Sequence, residues 1–152
     1  LKGRYTLQIP QKNYREVTLL VVDDDDIDTI ALERALRKLK LLNTIYRARD
    51  GQEALDKLRS GSIPEPYIIL LDLNMPRMGG LEFLQVLRTD PLLTHAVVFV
   101  LTTSKSDEDL VAAYRKHIAG YILKQHMDRD FLEVIGLIEH YWRLVELPVS
   151  KD

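Results

Sequence analysis

Three short stretches of this chain are apolar almost without a break: Thr18–Val22, 67–71 (Tyr-Ile-Ile-Leu-Leu) and 96–101 (Ala-Val-Val-Phe-Val-Leu). A strand with one wet face alternates apolar and polar residues, so a continuous run means that both faces are covered. Covering both faces takes helices on each side of a parallel sheet, which constrains the chain more than any other feature. Two weaker strands, 44–48 and 120–123, complete the set.

Amphipathic stretches lie between the strands. The first helix is expected from Asp28 to Leu39 and the third from Gly80 to Arg88. Asp50-Gly-Gln-Glu53 and Ser106-Asp-Glu-Asp109 read as capping boxes, in which a short side chain accepts from a free N–H of the first turn. The last helix, Asp128 to Val145, carries Phe131, Ile135, Ile138, Trp142 and Val145 on one stripe. Gly61, Gly120 and the Asp90-Pro91 pair mark ends and turns. Strand follows helix throughout, so the predicted fold is (βα)5, a doubly wound α/β domain with right-handed crossovers. Residues 1–16 read as an arm, 17–146 as the domain and 147–152 as a tail.

Composition narrows the function. At 152 residues, one core suffices, and the absence of cysteine fits a reducing, cytoplasmic setting. The formal charge of −2 gives no general attraction to nucleic acid or to anionic lipid. The longest apolar run is far short of the ~20 residues needed to span a membrane. Neither a nucleic-acid partner nor a membrane is expected.

Ligands of such sheets bind beyond the carboxyl ends of the strands. There the first strand runs into Asp23-Asp-Asp-Asp26, the third reaches Asp72, the fourth Thr102 and the fifth Lys124. An aspartate run by itself is usually a solvated loop, but polar groups at four strand ends are a conjunction. Carboxylates brought together repel and must protonate, pair with Lys124 or hold a cation. Few protein oxygens suit Mg²⁺, which keeps waters and adds a phosphate. The site expected is therefore one for phosphoryl transfer, with one carboxylate as nucleophile. An EF-hand is excluded, since Thr29 and Ala35 stand where its glycine and bidentate glutamate belong. The four histidines (His95, His117, His126, His140) lack ligand spacing and read as surface or helix-end residues.

Val21-Val-Asp-Asp24, Leu71-Asp-Leu-Asn-Met-Pro76 with Gly80, Val100-Leu-Thr102 and Tyr121-Ile-Leu-Lys124 resemble the signature segments of response-regulator receivers such as CheY. The resemblance spans 18–145 and implies a flavodoxin-like sheet of order 2-1-3-4-5. It implies that Asp72 accepts a phosphoryl group from a sensor histidine kinase. Asp23, Asp24, Asp72 and the backbone carbonyl of Asn74 would hold Mg²⁺ or Mn²⁺, and Thr102 and Lys124 would bind the phosphoryl group. Tyr121 would turn inward as Thr102 moves; otherwise it is a half-buried strand tyrosine. The activity implied is confined to the protein's own phosphorylation and dephosphorylation.

Three positions depart from the family pattern. Gln125 replaces the proline that commonly follows the lysine, Thr103 replaces a small residue, and Gly79 replaces Asp or Asn. Within the family, Leu101-Thr-Thr-Ser104 and Ile138-Glu-His-Tyr-Trp142 with Leu147-Pro148 resemble small regulators that partner phytochrome-type kinases. Apolar Leu132, Leu137, Tyr141 and Leu144 widen the last helix's stripe, so a homodimer through that helix is expected. Two competing readings are a haloacid-dehalogenase-like phosphatase, from the Asp23/Asp25 spacing, and a structural receiver that is never phosphorylated.

Overall fold

The computed structural model describes residues 17–38, 43–102 and 107–124, with the backbone alone for Thr102, Asp107, Glu108 and Ile122. Within them β1 (Thr18–Val22), α1 (Asp26–Lys38), β2 (Ile45–Ala48), α2 (Gly51–Arg59) and β3 (Tyr67–Leu71) follow in order. The series continues with α3 (Gly80–Thr89), β4 (Val97–Thr102), α4 (Asp107–Arg115) and β5 (Gly120–Leu123). The strands form one parallel sheet of order β2-β1-β3-β4-β5, as the resemblance implies. The last predicted helix, the arm, Ser106, Gln125, His126 and His140 lie outside the described residues.

The continuous apolar runs do what their pattern requires. Leu20 and Val22 face a larger core with Ala54, Leu55 and Leu58 of α2, Phe83, Leu84 and Leu87 of α3, and Ala113 of α4. Their neighbours Leu19 and Val21 face a second core with Leu32, Ala35 and Leu36 of α1. Each fully buried leucine contributes about 1.5–3 kcal/mol, so the two cores outweigh any surface ion pair.

Element ends depart from expectation for local reasons. α1 begins at Asp26 rather than Asp28, because Asp25 caps it: Asp25 Oδ1 accepts from Ile27 N at 2.8 Å. In α2, Asp50 Oδ1 accepts from Glu53 N at 2.9 Å as predicted. The reciprocal bond is displaced, with Glu53 Oε2 accepting from Arg49 N at 2.9 Å instead of from Asp50. Gly61 takes a left-handed φ of 74° after α2. β4 runs one residue later than expected, Val97–Thr102, and β2 begins at Ile45.

The turn beyond β3 depends on a close approach. A Cβ on Gly80 would lie 2.6 Å from the Asp72 carbonyl oxygen and 2.6 Å from Leu73 Cα. The first turn of α3 is thereby pressed against the strand end that carries Asp72, sealed by Gly80 N donating to Leu73 O at 3.0 Å.

Candidate functional site

Parallel register brings the strand ends level. Val22 of β1 pairs with Leu71 of β3, and the next residue on each strand is Asp23 and Asp72. The ladder continues past both, with Asp72 N donating to Val22 O at 2.9 Å and Asp23 N to Ala48 O at 3.0 Å. On the far side Thr102 pairs with Leu123, one residue before Lys124. Topology alone thus collects Asp23, Asp72, Thr102 and Lys124 at one edge. Only the backbone of Thr102 is described, so what its hydroxyl touches lies outside the described residues.

The site is an ionic cluster around Lys124. Its ammonium meets Asp23 Oδ2 at 2.8 Å and Asp72 Oδ2 at 3.2 Å, and also pairs with Asp28. Burial works against the charged lysine, but hydrogen bonds to Asp23 and Asp28 outweigh it and hold the ammonium above its usual pKa. Asp23 and Asp72 are buried, whereas Asp24 is exposed. Desolvation pushes Asp23 up to about 6, against the lowering bonds from Lys124 and from the Asp25 N–H. Desolvation likewise raises Asp72, opposed by Lys124 and by Asn74 N, which donates to Asp72 Oδ1 at 3.2 Å.

Carboxylate oxygens of Asp23, Asp24 and Asp72 lie within 4.8 Å of one another. At that separation two full charges repel by about 3.5 kcal/mol at an effective dielectric near 20. One ammonium cannot balance the set, and an all-oxygen donor group with one exposed member fits a hard divalent cation. The residues present therefore fit the metal expected. Tyr121 is half-buried and packs against the larger core.

The rest of the acidic run has other employment. Asp25 caps α1, and this exposed position takes it out of the pairing that a dehalogenase-like phosphatase would need. Asp26 pairs with Arg47 and Arg49 of the neighbouring strand region, and the Arg47 bond holds its pKa down. Arg47 also donates to the Asp23 carbonyl from Nε at 3.3 Å and Nη2 at 3.2 Å, which ties the acidic loop to β2. On the other flank Arg77, at a left-handed φ of 61°, binds Asp50 with Nε at 2.7 Å. That pair fastens the β3–α3 loop to the start of α2.

Sequence reasoning missed three of these residues: Asp28, Arg47 and Arg77. Asp28 carried a faint signal as an acid in the first turn of the helix that follows the acidic run. The arginines carried none, because their contacts depend on long side chains crossing between elements.

The family described as response regulator receiver domain matches residues 19–136. The chain belongs to this family. The receiver is 35% identical over 127 residues to the probable methanogenesis regulatory protein FilR2 of Methanothrix harundinacea, covering 82% of each chain. It is 31% identical over 137 residues to the response regulator Rcp1 of Synechocystis, covering 87% of this chain and 93% of Rcp1. The Mn²⁺-bound crystal structure of Rcp1 superposes with a TM-score of 0.76, covering 88% of this chain and 99% of that one. The phosphorylated cyanobacterial phytochrome response regulator RcpA, 31% identical, superposes at 0.78 with the same coverage. This receiver thus takes part in two-component phosphorelay signalling. Among the described residues, no helix is long and apolar enough to cross a membrane.

Proposed function

We propose that Asp72 accepts a phosphoryl group from a phosphohistidine of a sensor kinase. One observation carries this reading: a buried carboxylate at the end of a central strand, contacted by a lysine and flanked by two further carboxylates. A carboxylate oxygen of Asp72 bonds to phosphorus as the phosphorus–nitrogen bond breaks, and the electron pair leaves on the imidazole nitrogen. Burial raises the Asp72 pKa, and Lys124 and the Asn74 N–H oppose that rise, favouring the ionised, nucleophilic form of the carboxylate. Lys124 then donates to the phosphoryl oxygens, joined by Thr102 from the end of β4. Tyr121 follows Thr102 inward as the switch. Hydrolysis of the acyl phosphate by water resets the protein, and in this sense alone it catalyses a reaction.

Asp23, Asp24, Asp72 and the Asn74 carbonyl would hold Mg²⁺ or Mn²⁺, which when bound neutralises charge on the transferring group. Support comes from the three converging carboxylates and from the Mn²⁺ named for Rcp1. Incubation with acetyl phosphate and Mg²⁺ should add one phosphoryl group, seen by intact mass, and Asp72→Asn should abolish it. Unchanged labelling of that variant sinks the assignment. Asp24→Ala should lose most of its Mn²⁺ affinity, read by paramagnetic resonance, while unfolding no more easily without metal, because removing a charge relieves repulsion. Normal Mn²⁺ binding would contradict the ligand set.

The partner kinase on this reading is of the phytochrome type, and the setting cytoplasmic. RcpA's description as a phytochrome response regulator and the closing sequence segments support the kinase class. Output passes through protein contact, including a homodimer built on the 128–145 segment, whose apolar stripe is wider than one sheet needs. Light scattering with and without phosphorylation tests the dimer; a monomer in both states refutes it. The domain limits proposed are those of the sequence, 17–146.

A further inference from the structure

We propose that Asp28 is the standing partner of Lys124, a positioning residue that keeps the ammonium beside Asp72 throughout the phosphorylation cycle. This rests on the reading of Asp72 as phosphoacceptor. A lysine ammonium has three protons to give, and here three carboxylates receive it: Asp23, Asp28 and Asp72. The three partners differ in what else is asked of them. Asp23 belongs to the converging carboxylates that fit a cation. Asp72 gives up charge when one of its oxygens bonds to phosphorus. Asp28 is outside that cluster, so its bond to Lys124 need not break at any stage.

The contact is built to be fixed. Asp28 stands in the first turn of α1, which is anchored into the second core by Leu32, Ala35 and Leu36. Its side chain is 22% exposed and that of Lys124 8%, so the pair is shielded from most of the solvent. An acid in the first turn also suits the helix dipole, which would be reason enough for a residue facing water. That requirement is already met by Asp25 as cap and by Asp26. Lysine is a point charge on a flexible four-carbon stem, and an unheld one must be ordered anew each time it is needed. With Asp28 as pivot, the protons released by Asp23 and Asp72 can turn to phosphoryl oxygens while the nitrogen stays in place.

The test follows acyl phosphate formation on the full chain with acetyl phosphate and Mg²⁺. Asp28→Asn should slow it on the order of tenfold, the low end for a group that orients a functional one from behind. Asp28→Glu should recover part of the loss. In a Lys124→Ala background, Asp28→Asn should add nothing, because Asp28 acts through Lys124. Mn²⁺ affinity without phosphodonor should match the wild type, and Asp28→Ser serves as a second variant if the asparagine protein folds poorly. Equal rates for wild type and Asp28→Asn overturn the proposal, as does equal slowing with and without Lys124. A wild type that takes no label, or an Asp72→Asn protein that labels normally, overturns the phosphoacceptor reading and this proposal with it.

Discussion

Gly79 and Gly80 are neighbours in one sequence motif, yet the structure gives a clash for alanine at Gly80 and ordinary contacts for alanine at Gly79. At Gly80 the added Cβ would sit 2.6 Å from Asp72 O, 2.6 Å from Leu73 Cα and 2.9 Å from Leu73 Cδ2. Two of these are backbone atoms at the end of a strand paired on both sides, and they cannot step aside without moving Asp72. Overpacking of this kind costs about 1–3 kcal/mol. The helix preference of alanine over glycine returns at most ~1 kcal/mol, and less in a first turn. A net loss of about 1–2 kcal/mol is expected. At Gly79 the nearest atoms would be Leu73 O at 3.5 Å and Met75 O at 3.9 Å, ordinary contacts, and its φ of −72° suits any residue. Gly79→Ala should stay within ~0.5 kcal/mol of wild type. Urea unfolding reads both as midpoint shifts at constant slope. Because the Gly80 clash bears on Asp72 itself, Gly80→Ala should also label more slowly with acetyl phosphate. Equal midpoints for the two variants would refute the steric argument.

Arg88 donates to four carbonyls, from Nε to Lys116 O at 2.7 Å and from Nη2 to His117 O at 2.9 Å, with Nη1 reaching Thr94 O at 2.9 Å and Ala96 O at 2.7 Å. Arg88→Met keeps the stem but loses these bonds, and should cost about 3 kcal/mol in urea unfolding, roughly two charge-assisted bonds once water replaces the rest; an unchanged midpoint would remove it as a stitch between α3 and the turn before β5. Asp50 has burial raising its pKa, but the Glu53 N–H and Arg77 outweigh this and hold it below its ordinary 3.8. The unfolded chain therefore binds that proton more readily, so the stability Asp50 adds is present above pH ~4 and is lost as pH falls through the depressed folded value. The difference in unfolding free energy between wild type and Asp50→Asn should be largest near neutrality and vanish in acid, and a difference that grows in acid would reverse the sign of the argument.

The sheet was legible because its strands are buried on both faces, and that leaves an unbroken apolar signature in 18–22, 67–71 and 96–101. Helix ends were less legible, since capping is settled by which of several equivalent acids turns back on the chain. Asp25, Asp26 and Asp28 offered the same chemistry, and only packing assigned the cap to Asp25. The shifted partner of Glu53 has a similar origin: the Arg49 N–H was free and within reach. Local chemistry specified that an acceptor was needed, not which donor would arrive.

For the site, the distinction is between residues placed by the sheet and residues placed by reach. Asp23, Asp72 and Lys124 follow strand ends, so parallel register brings them together once the strands are identified. Thr102 belongs with them by the same register. The groups that fasten this edge come from elsewhere: Asp28 on a helix pairs with Lys124, Arg47 on the edge strand ties down the acidic loop, and Arg77 anchors the β3–α3 loop to α2. Nothing in strand periodicity marks such residues. Charge arithmetic, however, does ask for them. A run of four aspartates ahead of a fifth cannot all face one pocket without prohibitive repulsion, so most must find separate cations or N–H groups. In this chain Asp25 takes the Ile27 N–H, Asp26 takes arginines and Asp28 shares the lysine, which leaves Asp23 and Asp24 beside Asp72. The acidic run is therefore an allocation among partners, and the site consists of the members that converge on Asp72, where one shared ammonium is too little to balance three carboxylates.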